Sequence, residues 1–113
     1  MTQYREIDST EQWDAALEGS KDRALVVFKH STTCPVSANA HREFTAYLDA
    51  NPRQDTDYVL VKVIESRPVS NKIAEDTSVK HESPQIIFIQ NQEKVWSATH
   101  WAITSEHITA VLD

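Results

Sequence analysis

Ala24-Leu25-Val26-Val27-Phe28-Lys29-His30-Ser31-Thr32-Thr33-Cys34-Pro35-Val36-Ser37 is the stretch that decides the fold. Its first five residues form an apolar run rich in β-branched side chains, the pattern of a strand covered on both faces, as in a central parallel position. The polar residues Ser31-Thr32-Thr33 end that strand. Pro35 suits the first position of a helix, where its missing N–H costs nothing, and this makes Cys34 the N-cap. A sulfur at an N-cap faces free backbone N–H groups and the positive end of the helix dipole, and both favour thiolate over thiol. Cysteines at helix starts have pKa values of roughly 3.5–7.5, against about 8.5 for a free thiol. Cys34 is therefore expected to be a nucleophile rather than a small buried hydrophobe, the ordinary fate of a free cysteine.

The elements on either side alternate helix and strand. Ser9-Thr10-Glu11-Gln12 has the form of a capping box, and Trp13, Ala16 and Leu17 then fall on one helical face. Gly19 is expected as the left-handed cap of that helix. After Cys34 a helix is predicted over 35–49, with Val36, Ala40, Phe44, Tyr47 and Leu48 as its buried stripe and Asn51-Pro52 ending it. Tyr58 to Ile64 reads as a second buried strand, and Val69, Ile73 and Ala74 mark a short helix after Arg67-Pro68. Gln85 to Ile89 and Lys94 to Ala98 read as an antiparallel hairpin across the turn-like Gln90-Asn91-Gln92-Glu93. Thr104 is the expected N-cap of a last helix, with Ile103 and Ile108 forming a hydrophobic staple. A further strand is open near Tyr4 to Ile7. This order predicts an α/β fold, a central mixed β-sheet flanked by helices.

Composition sets the outer bounds. The 113 residues are 40% apolar and 25% charged, which suits one compact domain spanning residues 1–113. The net charge of −6 argues against a phosphate-backbone partner, so no nucleic acid is expected. The N-terminal residues show no basic start followed by an apolar run, and no stretch approaches the ~18 apolar residues of a membrane span. No membrane partner is expected. A single glycine excludes the glycine-rich cradles of nucleotide sites. A single cysteine excludes an internal disulfide framework and points to a reducing cytoplasm.

That single cysteine also limits the chemistry. Ser37 stands three residues after Cys34, where a dithiol oxidoreductase carries its resolving cysteine. Serine can donate a hydrogen bond to the thiolate but cannot form a second disulfide. Any mixed disulfide at Cys34 must then be resolved by an external thiol. Ser83-Pro84, just before the strand at Gln85, fits either an ordinary trans proline opening a strand or a cis proline packed beside the cysteine. In the second case the backbone of Ser83 is exposed for pairing with an extended substrate.

With these residues in view, the chain resembles a known family. The arrangement is similar to the thioredoxin fold. Phe28-Lys29-His30-Ser31-Thr32-Thr33-Cys34-Pro35-Val36-Ser37 resembles the signature of the monothiol bacilliredoxins, bacillithiol-system redox-active proteins also called the YtxJ family. Arg67-Pro68-Val69-Ser70-Asn71-Lys72-Ile73-Ala74, His81-Glu82-Ser83-Pro84-Gln85 and His100-Trp101-Ala102-Ile103-Thr104 look like the same family. Valine at position 36, where isoleucine is the usual residue, is a mild departure. The resemblance implies a thiol-disulfide oxidoreductase that removes bacillithiol from S-thiolated client proteins, with Cys34 as nucleophile. Bacillithiol is then a co-substrate, no resident cofactor is implied, and a disulfide reductase is a candidate partner.

Around Cys34 and Ser37, the expected binding residues are Thr33, Pro35, Ser83, Pro84, Arg67, His81, His100 and Trp101. Arg67 can grip a carboxylate of an anionic thiol or make a surface salt bridge. His81 and His100 fit either ligand contacts or structural hydrogen bonds. Trp101 can wall a groove, whereas Trp13 and Trp96 are expected in the core. Lys29 and His30 add positive charge near the thiolate, or Lys29 is a solvated strand-end lysine. The five histidines show no metal-ligand spacing, and no protein metal site is expected. Two other readings stay open. One is a dimer sharing an iron–sulfur cluster through one thiolate per chain and two small thiols. The other is a thiol peroxidase, from Ser31-x-x-Cys34, although Val27 stands where those enzymes place proline and no arginine lies near Cys34 in sequence.

Overall fold

The computed structural model describes residues 4–50 and 52–112. In chain order these form β1 (Arg5–Glu6), α1 (Thr10–Gly19), β2 (Ala24–His30), α2 (Pro35–Ala50), β3 (Thr56–Lys62), α3 (Arg67–Thr77), β4 (Gln85–Gln90), β5 (Glu93–Thr99), a 3-10 turn (His100–Ala102) and α4 (Ser105–Leu112). The strands lie in the order β1-β3-β2-β4-β5. β3 runs parallel to both β1 and β2, while β4 runs antiparallel to β2 and β5. β2 is thus central, as its apolar run demands, although only one of its neighbours is parallel.

Burial on both faces follows from the two helical layers. Val26, Phe28, Tyr58 and Ile86 face α2 and α4, packing on Phe44, Tyr47 and Ile108. Leu25, Val27, Val59 and Ile87 face α1 and α3, packing on Trp13 and Ile73. Alternate residues of one strand serve opposite cores because successive side chains point to opposite faces. Trp13 lies at the heart of the second layer and donates its indole N–H to Asp76 at 2.8 Å, which ties α1 to α3.

Local signals set the element ends. Ser9 accepts from the backbone N–H of Gln12, and Gln12 reaches back to the N–H of Asp8 rather than that of Ser9. Thr104 caps α4 by accepting from His107 N–H, and the flanking Ile103 and Ile108 are both fully buried. The β4–β5 turn has two residues, Asn91 and Gln92, with φ of 52° and 65°. Paired positive φ values match the right-handed twist of the strands. Both turn amides donate to Ser20, one to its carbonyl and one to its hydroxyl.

Four expectations are corrected. Gly19 is the last residue of α1 and has no positive φ, because Ser20 makes the cap in a right-handed conformation. Val36 is only half-buried, and the inward position on the first turn of α2 belongs to Ser37. β3 stops at Lys62, which leaves Ile64 half-exposed in the turn before α3. Trp96 lies at the rim of the core against His107 rather than inside it.

Candidate active site

Four chain segments meet at one end of the sheet: the β2–α2 turn with Cys34, the β3–α3 turn, the approach to β4, and the 3-10 turn after β5. The register explains the meeting. Lys29 pairs with Gln85 and Gln85 with Thr99, so the end of β2, the start of β4 and the end of β5 lie side by side. Hydrogen bonds knit the segments: Val63 N–H to the His30 carbonyl at 3.0 Å, His100 N–H to the Pro84 carbonyl at 3.1 Å, and the Thr32 hydroxyl to Glu65 at 3.3 Å.

Cys34 is half-buried and is the N-cap of α2. Its carbonyl accepts the first helical bond, from Ala38 N–H at 3.0 Å, while its own N–H donates to Ser31. Pro35 opens the helix and is exposed, as is Thr33. Cys34 therefore stands partly exposed at the N-terminus of a 16-residue helix, whose first-turn amides have no partner within the helix.

Ser37 is placed differently from the sequence expectation. It is fully buried, its oxygen accepts from Ser31 N–H at 2.9 Å, and it lies 2.7 Å from His30 Nδ1. No hydrogen bond joins it to the sulfur among the described residues. Its hydroxyl instead braces the turn that carries Cys34.

His30 stacks on His41 at 4.9 Å, and Phe28 and Tyr4 extend the pile. Burial holds both imidazoles below the usual histidine value, and for His30 the neighbouring His41 adds to the effect. Because both folded values lie below the unfolded 6.5, the unfolded chain takes up protons first as pH falls. Stability from this pair is full above about pH 7 and drains away as pH falls from there through the two folded values. Urea midpoints measured across that range should decline on the acid side, and the decline should flatten in His41→Gln.

The other candidate residues lie on the segments that reach this end of the sheet, and none of them hydrogen-bonds to Cys34 among the described residues. The Ser83–Pro84 peptide is cis, Pro84 is buried, and the Ser83 hydroxyl oxygen is buried with no partner among the described residues. Arg67 is the exposed first residue of α3. His100 starts the 3-10 turn with φ of 52°, followed by Trp101 at 66% exposure. With the half-exposed Ile64, Trp101 supplies apolar surface at this end of the sheet.

Lys29, expected either as charge near the thiolate or as a solvated strand-end lysine, is corrected by the structure. It is fully buried on the α3 side of β2, where its ammonium donates to the Ser70 carbonyl at 3.1 Å and to His81 Nδ1 at 3.2 Å. Burial pushes its pKa down to about 8. The signal was the alternation Leu25, Val27, Lys29, which puts the lysine on an inward face of a strand covered on both sides.

A cavity of about 320 Å³ lies at the opposite end of the sheet, lined by Arg23, Arg53 and Asn91 among others, and takes no part in this site. No group of three or more His, Cys, Asp or Glu residues that could hold a metal ion occurs among the described residues. No helix among them is long and apolar enough to cross a membrane.

A lone cysteine capping the helix that follows the central strand, at the end of the sheet where β4 begins, defines a thiol-disulfide oxidoreductase of the thioredoxin fold. A solved structure described as a candidate oxidoreductase with this fold is 33% identical, covering 97% of this chain and 94% of its own, with a TM-score of 0.83. The thioredoxin of Malassezia sympodialis (Mala s 13) is 16% identical over 99% of this chain and 90% of its own, with a TM-score of 0.79. Reduced Schistosoma mansoni thioredoxin is 19% identical over 98% and 96%, with a TM-score of 0.75. At such identities these last two show the fold alone.

The family model "Monothiol bacilliredoxin BrxC" matches residues 5–108. The chain belongs to the monothiol bacilliredoxin family.

Proposed function

We propose that the protein removes bacillithiol from S-bacillithiolated client proteins in a reducing cytoplasm. The observation that carries this is the placement of the sole cysteine, accessible at a helix N-cap with a serine at the resolving position. The Cys34 thiolate attacks the bacillithiol sulfur of the client's mixed disulfide. The sulfur–sulfur bond to the client breaks, and the client leaves as a thiolate that takes a proton from solvent. Cys34 now carries bacillithiol in disulfide linkage. A second bacillithiol attacks that adduct, restores the Cys34 thiolate and departs as bacillithiol disulfide, which a disulfide reductase returns to the thiol. Oxidation and reduction balance at each exchange, so bacillithiol is a co-substrate and no resident cofactor is required.

The neighbouring residues have roles that suit this substrate. Thr33 and Pro35 flank Cys34 in the chain, and with Ser83 and Pro84 at the entry to β4 they are the residues assigned to meet the client backbone. Arg67, His81 and His100 offer donors to the carboxylates of the small thiol, and Trp101 walls the groove. Purified protein incubated with a bacillithiolated client, or with bacillithiol disulfide, should gain one bacillithiol at Cys34 by intact-mass spectrometry. If neither exchanges while Cys34 still alkylates readily, this reading is lost.

A further inference from the structure

Lys29 has no carboxylate partner among the described residues, and its ammonium is shut away from water. An unpaired buried charge is costly, so its surroundings carry the explanation. An ammonium has three donors and no acceptor. Two of those donors go to the Ser70 carbonyl and to His81 Nδ1. Beside Lys29 on the same face, its cross-strand partner Gln85 keeps a buried side-chain amide oxygen without a partner among the described residues. The Ser70 hydroxyl lies 3.2 Å from the same His81 nitrogen.

These contacts restrict the imidazole. A nitrogen that accepts from an ammonium carries no proton of its own. The neutral His81 ring then holds its proton on Nε2, and the Ser70 hydroxyl, if it bonds to Nδ1, shares with Lys29 the single lone pair of that nitrogen as a second donor. Nδ1 faces the buried lysine, Nε2 diverges from it across the ring, and the residue as a whole is exposed. His81 stands three residues before Pro84, at the Cys34 end of the sheet. Burial, Lys29 and Arg67 oppose a second proton on the ring, and only Glu82 favours one.

We propose that Lys29 is a positioning residue: by occupying the Nδ1 side of His81 it fixes that imidazole as a neutral Nε2–H donor for an acceptor oxygen of a small anionic thiol bound at Cys34. The substrate class rests on the function proposed above, whereas the tautomer does not. With Arg67 supplying charge and His81 a fixed neutral donor, the site distinguishes an oxygen acceptor placed near His81 from an anion placed anywhere.

The experiment has a spectroscopic arm and a kinetic arm. Long-range ¹H–¹⁵N spectra of the intact protein at neutral pH should show His81 protonated on Nε2 and bare on Nδ1. In Lys29→Met the His81 titration midpoint should rise and the tautomer preference should relax. A wild-type ring protonated on Nδ1, or a midpoint unmoved in the variant, overturns the proposal. The wild-type spectrum decides even if the variant fails to fold. In the kinetic arm, Lys29→Met should raise KM for bacillithiol disulfide about three- to tenfold, the weight of one hydrogen bond, with kcat nearly unchanged. The same change should have no effect on KM in a His81→Ala background. An undiminished effect there assigns Lys29 a merely structural role and overturns the proposal. Complete failure to exchange with bacillithiol sinks the proposed function, while the tautomer of His81 is still decided by the spectra.

Discussion

Ser37→Cys is expected to turn a protein that depends on an external thiol into one that clears its own mixed disulfide. Positions 34 and 37 are the N-cap and the third residue of α2. Residues three apart on a helix bring their Cβ atoms to about 5–6 Å, near enough for small adjustments to close a disulfide. If 2-mercaptoethanol is first placed on Cys34, the new thiolate attacks the Cys34 sulfur and 2-mercaptoethanol leaves as the thiolate. Even an effective concentration of about 1 M makes this step about 10³-fold faster than attack by external thiol at about 1 mM. Intact-mass spectrometry without added thiol should show the adduct lost and the chain two hydrogens lighter. An adduct that persists until thiol is added would mean that position 37 cannot reach the sulfur. The change also has a structural cost, because sulfur is a weak acceptor for Ser31 N–H. Leaving that buried amide unpaired should cost about 1–3 kcal/mol.

A larger loss of stability is expected from Phe28→Ala. Phe28 is fully buried in the central strand, with its ring 5.0 Å from Phe44 and 5.8 Å from His30. Removing a buried phenylalanine ring forfeits its transfer free energy and leaves a cavity, together about 3–5 kcal/mol. Against a typical domain stability of about 5–15 kcal/mol, that is a large share. Urea denaturation should show the fall in midpoint with little change in slope. A loss below about 1 kcal/mol would mean that the strand and α2 collapse into the space, which contradicts a rigid stack of Phe28 with Phe44 and His30.

The same two positions show how differently sequence and tertiary structure speak. Phe28 was legible as core because an unbroken run of β-branched and aromatic residues fits only a strand buried on both sides. Cys34 was legible as an N-cap because proline at the next position has a local, one-residue reason to be there. The order of elements, the hairpin turn and the cap at Thr104 rest on similarly local rules, and each appears in the structure. Ser37 misled. Its spacing from Cys34 pointed to the sulfur, but the helix turns its hydroxyl inward to Ser31 and His30. Ile64 misled as well, since an apolar residue at a strand end carries no mark of where pairing stops.

Sequence by itself determined that one cysteine stands at a helix start with no second thiol, because those are matters of count and of neighbouring residues. Only the tertiary structure decided what surrounds it. The meeting of His81 with Lys29 spans 52 positions, and that of His41 with Tyr4 spans 37. Such contacts are set by sheet order, register and helix packing, which bring side chains together through space and leave no periodic trace along the chain.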